Sequence, residues 1–197
     1  MKYLYFTITL ITLYIVFQSF ISANALKTEK QPYRLVLKET NFEIRFYPTA
    51  IIATVYSDAT DYKGLSTNGF KKLAKFIFGG NQQKESISMT APVRMSMSEK
   101  GSSMSFVMPE KYNIKSLPTP NDKNIQIQNT QPEYLAVIRF SGYATDAKIS
   151  VYKNKLEQIL AQKQIRIKGA FNFFGYNAPF QFAGRTNEIA IPIEWKE

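Results

Sequence analysis

Three methionines fall within nine residues, Met89, Met95 and Met97, in the stretch SISMTAPVRMSM. Thioether sulfur is a soft ligand that can hold Cu(I) or sit axially on haem iron. It also fills irregular core gaps and packs on aromatic rings. The three methionines share alternate positions with Ile87, Ala91 and Val93, which is the pattern of one half-buried strand. No His or Cys accompanies them. The expectation is therefore core packing without a ligand.

Two further groups could do chemistry. Phe171, Phe173, Phe174, Tyr176, Phe180 and Phe182 cluster near the C-terminus, broken by Gly175 and Pro179. The spacing is too irregular for one strand. It reads as a strand entering a loop whose rings either close a barrel end or lid a pocket. Lys71, Lys72 and Lys75 could attract carboxylates or phosphates, or form a solvated face.

The missing residue types exclude more than the present ones suggest. With neither His nor Cys, the chain has no thiol nucleophile, no Ser–His pair and no ordinary zinc site. It also lacks the commonest axial ligand of haem iron. P-loop, dinucleotide, HExxH and GxSxG patterns are absent. An enzyme is not expected. The net charge of +10 favours anionic partners, but the basic residues are spread without a long run.

The first 25 residues read as an export signal: Lys2, an uncharged apolar run from Tyr3 to Ile21, then Ala23-Asn24-Ala25 as a cleavage site. An uncleaved membrane anchor is the alternative, because the run approaches the roughly 20 residues that span a bilayer. The expected location is periplasmic or secreted, and the membrane is met only through this segment. Nucleic acid is not an expected partner, and a monomer is expected.

The elements that must position these groups come next. Residues 26–40 read as a linker or leading segment, and residues 41–197 as one domain. Phe42–Tyr47 and Ile51–Tyr56 are strands by alternation and β-branching. A helix follows from Tyr62 to Phe78, with Phe70, Leu73, Ala74 and Ile77 on one face, stopped by Gly79-Gly80. The methionine stretch is a long strand, disturbed at Pro92, with Met104–Pro109 as its hairpin partner. The order then repeats. Ile125–Gln128 and Tyr134–Phe140 are strands, and Thr145 caps a second helix running to about Gln162. Strands at Ile165–Phe174 and Asn187–Trp195 complete the unit. Ala59-Thr60-Asp61 before one helix echoes Ala144-Thr145-Asp146 before the other, which suggests internal duplication.

Several of these segments match known motifs. NFEIRFYP (41–48) resembles the "YEVRxYP" opening of the SOUL/haem-binding protein family, and GFKKLAKFI (69–77) its first-helix "F-R-x-L-x-x-Y-I". ISMTAPV (87–93) resembles "I-x-M-T-x-P-V". YNAP (176–179) and RTNEI (185–189) resemble "YxPP" and "RRNEVWI". The resemblance runs from about Phe42 to the C-terminus. It implies an α+β fold, a distorted antiparallel β-barrel from a duplicated βαββ-type unit with two flanking α-helices. It further implies non-catalytic binding of haem or related tetrapyrroles, in a shallow apolar groove between the first helix and a C-terminal loop. By motif position the site residues are Phe70, Ala74, Lys75 and Tyr176. Phe180 is added from the aromatic cluster. The sequence departs from the family at Ala74, Phe180 and Gln181, and in lacking the histidine that some members use. The expectation is that the iron has no protein ligand or that Tyr176 serves in place of histidine. The same fold serving a different apolar ligand or a protein partner is the alternative.

Overall fold

The computed structural model describes residues 5–14, 16–17, 28–98, 101–178, 181 and 184–196. Helix α1 covers residues 5–14, and residues 16–17 are also helical. Among the described residues no helix is long and apolar enough to cross a membrane.

The rest is built from eleven strands and two helices. In chain order they are β1 (Glu29–Lys30), β2 (Arg34–Lys38), β3 (Glu43–Tyr47), β4 (Ile51–Ser57) and α2 (Tyr62–Ile77). Then come β5 (Thr90–Ala91), β6 (Val93–Ser98), β7 (Gly101–Val107), β8 (Gln126–Asn129) and β9 (Glu133–Ser141). Helix α3 (Asp146–Gln162), β10 (Asn172–Gly175) and β11 (Thr186–Pro192) complete the chain. Nine strands form one antiparallel sheet in the order β2-β3-β9-β11-β10-β6-β7-β4-β8. Strands β6 and β9 lie three strand spacings apart, about 14 Å in a flat sheet. Arg94 on β6 nevertheless meets Glu133 on β9 at 2.5 Å. The sheet is therefore strongly curled into a half-barrel, and the helices pack on its other face.

The strand order has an internal symmetry. Exchanging the halves maps β3 onto β8, β4 onto β9, β6 onto β10 and β7 onto β11. The order from β3 to β8 then reads the same from either end. The axis of this exchange passes through the paired residues Arg94 and Phe174.

Both helices start as their sequences dictate. The Asp61 side chain accepts from the Gly64 N–H, and Thr145 accepts from the Lys148 N–H. Each satisfies an amide that the first turn leaves unpaired. Helix α2 buries Leu65, Gly69, Leu73, Phe76 and Ile77. This face is rotated from the expected one, because Gly69 brings the helix close to β7. A Cβ at Gly69 would stand 3.2 Å from Met104 Cβ. Phe70 and Ala74 are thereby displaced to the edge of the contact and are only half-buried. Gly79, at φ +94°, ends the helix in the left-handed turn that glycine favours.

The methionine stretch is corrected. It is not one strand. A cis Ala91–Pro92 bond separates β5 from β6, and β5 pairs in parallel with β1 outside the main sheet. Met95 and Met97 lie in the core as expected, while Met89 is half-buried. Between residues 165 and 174, only β10 and an isolated bridge from Ile167 to Ile193 form where a long strand was expected. The main sheet also begins within the segment read as leading, since β2 pairs with β3.

Candidate functional site

A groove of about 320 Å3 runs between α2 and the surface of β6, β10 and β11. Its floor is apolar. Met95 and Phe173 are paired across β6 and β10, with Val93 opposite Gly175 one step along. Phe70 forms a wall, held edge-on against Phe106 at 5.4 Å. Tyr62 meets Phe173 edge-on at 5.1 Å. Such pairs are favourable beyond their area, so the walls are fixed before any ligand arrives.

Two cations stand at this groove. Lys71 is exposed at its rim. Arg185 is buried and held in place: its Nη1 donates to the carbonyls of Ala178 (2.9 Å) and Gln181 (2.7 Å). Its guanidinium stacks over the Tyr143 ring at 4.7 Å. Neither acceptor is a carboxylate, so these bonds leave the charge of Arg185 uncompensated.

The expected site residues separate. Phe70 lines the groove. Lys75 lines a neighbouring depression of about 350 Å3, with Lys71, Lys72, Asn121 and Asp122. Ala74 is half-buried on α2 and lines neither depression. Phe180 lies outside the described residues. Tyr176 is on the opposite face of the sheet from Phe70. Alternation along β10 sends Phe173 and Gly175 to the groove and Phe174 and Tyr176 away from it. Tyr176 packs with Tyr47, Leu135, Val137, Phe174 and Ala190 in a second, smaller core.

That second core encloses an ionic network. Glu188 is wholly buried. Arg45 Nη1 and Nη2 donate to its two oxygens at 2.9 and 3.0 Å, a bidentate pair. Arg139 donates from Nε at 3.1 Å and Nη2 at 3.0 Å, and the Tyr176 hydroxyl donates at 2.7 Å. Burial alone would raise the Glu188 carboxyl, but the hydrogen bonds and charge of Arg45, with Tyr176 and Arg139, hold it below the usual range. Burial, and then the Glu188 charge, push the Tyr176 phenol well up. Tyr47 is pushed up to about 12, again by burial first. Tyr33, just before β2, covers the network with its ring 4.3 Å from the Arg45 guanidinium. The Tyr176 oxygen is thus engaged with a buried carboxylate in an ionic cluster.

The family model for "SOUL heme-binding protein" matches residues 28–192. The chain belongs to this family. The SOUL match takes in β1 and β2, so the family fold starts well before Phe42. Heme-binding protein 2 of Mus musculus is 27% identical over 169 residues, covering 81% of this chain and 82% of the mouse protein. Heme-binding protein 1 of Xenopus laevis is 26% identical over 155 residues, covering 75% and 81%. Among solved structures, the EcmrR C-terminal domain has a TM-score of 0.61 at 11% identity, over 83% of this chain and 99% of that one. A protein from Listeria innocua described as a hydrolase has a TM-score of 0.56 at 10% identity, over 80% and 94%. At these identities the structural likeness concerns the fold alone.

Of the residues assigned by motif position, Phe70 lines this groove and Ala74, Lys75 and Tyr176 do not. Lys71, Met95, Phe173 and Arg185 all line it. Alternation through Phe173 was the available signal, since it places Phe173 and Tyr176 on opposite faces. Arg185 opens the RTNEI motif, but nothing in that motif indicated that its side chain lines the groove.

Proposed function

We propose that this SOUL protein is an exported, non-catalytic module that binds haem or a related tetrapyrrole in the groove between α2 and β6, β10 and β11. The observation that carries this reading is one groove with an apolar floor and two cations. A tetrapyrrole is a flat apolar plate with carboxylates at its edge. Val93, Met95, Phe173 and Phe70 suit the plate, while Lys71 and Arg185 suit the carboxylates. At about 320 Å3 the groove is at the low end for pockets that bury drug-sized ligands, so it would grip one face of the plate and leave the other open.

Family membership and the names of its relatives support haem as the ligand class. The chain has no imidazole or thiolate for the iron, and the Tyr176 oxygen is engaged with Glu188. Recognition therefore rests on the macrocycle and its carboxylates more than on the metal. The groove's cations and amides can hold a ligand but offer no general base at neutral pH. Export rests on the leader pattern alone, and the mass of the mature N-terminus in the native host tests it.

Haemin titrated into the full chain should shift the Soret band saturably at micromolar protein, and protoporphyrin IX should bind comparably. No saturable shift would reject the reading. Native mass spectrometry of protein from its own host would then identify whether another apolar ligand or a protein partner takes the groove.

A further inference from the structure

The face of the sheet away from the helices is unequal in its two halves. In the second half, Arg139 on β9 pairs with Glu188 on β11, and the ionic cluster fills the space. The exchange of halves places Thr54 on β4 and Ser105 on β7 at the equivalent positions, also paired in register. Their hydroxyl oxygens are 2.8 Å apart. Two short hydroxyls replace two long charged side chains, and a cavity of about 150 Å3 opens beside them. It adjoins a larger depression of about 440 Å3 that shares Tyr56, Ser96 and Ser103 as lining.

Arg94 forms a wall of the smaller cavity. It is only 8% exposed, and its guanidinium lies over the Phe174 ring at 5.1 Å. Its Nη2 donates to Glu133, but Nη1 is buried without any acceptor. A buried guanidinium nitrogen lacking a partner is unfavourable and calls for an oxygen acceptor. Glu133 offsets part of the charge, so a bare anion gains little here. The surroundings supply what else is needed. Gln128 and Asn172 offer amides, Ser103 offers a hydroxyl, and the Tyr56 ring is 58% exposed as a stacking face.

We propose that this cavity binds a small hydroxylated carboxylate, of sugar-acid size, with its carboxylate on Arg94 and its hydroxyls along Ser103, Gln128 and Asn172. The volume is about five water volumes, at roughly 30 Å3 each, enough for a carboxylate and two or three hydroxylated carbons. The remainder of the ligand would lie against Tyr56. The site is on the other face of the sheet from the Phe70 groove and does not depend on haem binding there.

Calorimetric titration of the full chain with D-gluconate tests it. Saturable binding is expected, at least tenfold tighter than sorbitol, which lacks the carboxylate, and than acetate, which lacks the hydroxyls. Ser103→Asp should abolish gluconate binding by repulsion while leaving the melting temperature and the haemin titration unchanged. Arg94→Gln should abolish it too, and Ser103→Asp keeps the test decisive where loss of the buried arginine disturbs folding. Absence of a saturable response, equal binding of sorbitol, or undiminished binding by Ser103→Asp would overturn the proposal.

Discussion

The Tyr176 hydroxyl donates a 2.7 Å hydrogen bond to Oε2 of Glu188, a carboxylate with no solvent exposure. The phenol proton is thus shared with a buried charge. A tyrosinate at this position is disfavoured at neutral pH, because burial and the Glu188 charge both raise the phenol.

Tyr176→Phe should leave the Soret band of the haemin complex unaltered in position. It should lower stability by about 1–3 kcal/mol, the cost of removing one hydrogen bond to a buried charged acceptor. Absorption spectroscopy and urea unfolding measure the two effects separately. A displaced Soret band would restore Tyr176 as an iron ligand.

Stability should fall with acid through Glu188. Its folded value lies below the ordinary 4.5, so its contribution is complete above about pH 4.5 and is lost as pH falls through the folded value. The raised phenols act at the other end. Tyr47 and Tyr176 contribute below their ordinary value of 10, and that contribution is lost as pH rises above it. Thermal unfolding across pH should show both flanks. Glu188→Gln should flatten the acid flank and cost about 3–5 kcal/mol at neutral pH, since the buried Arg45 loses its wholly buried carboxylate and keeps only the part-exposed Glu43. An unchanged acid flank in that variant would refute the assignment.

How much of this was legible beforehand differs by element. Helix α2, its Asp61 neighbourhood, the Gly79 stop and the Thr145 cap were all readable, because each is set by residues within a few positions. The break at Pro92 was expected only as a disturbance, and pattern alone could not show β5 leaving the main sheet. Arg45 read as the polar side of β3, yet it is buried. Its partner Glu188 lies 143 residues away, and only the curl of the sheet brings them together. The same limit hid the crowding of Gly69 against Met104.

The rim lysine separates binding from folding. Lys71→Glu should weaken haemin binding about tenfold or more by placing a like charge near the ligand carboxylates. Being exposed, it should change stability by no more than about 0.5 kcal/mol. Phe70→Ala should weaken binding and also cost about 1–3 kcal/mol, less than a fully buried phenylalanine, because Phe70 is half-exposed but supports Phe106. Paired haemin titrations and urea curves check both.

Gly80 should tolerate no side chain. A Cβ there would clash with the Lys75 carbonyl oxygen, a backbone atom that cannot swing aside. The Gly80 N–H also donates to that same oxygen at 2.8 Å. Gly80→Ala should therefore destabilise the end of α2 by about 1–3 kcal/mol. Lys75→Ala should leave the clash in place, so the double variant should show no rescue in urea unfolding.

The strand order has one further consequence. Strand β3 of the first half is bonded to β9 of the second, while β8 of the second is bonded to β4 of the first. Each half thus lends its opening strand to the other, like two clasped hands. Phe70 and Lys71 come from one half, Phe173 and Arg185 from the other, so the groove is assembled only when both are present. A chain cut in the exposed loop around Asn113–Ser116 would yield two fragments whose reunion a bound porphyrin could report by colour.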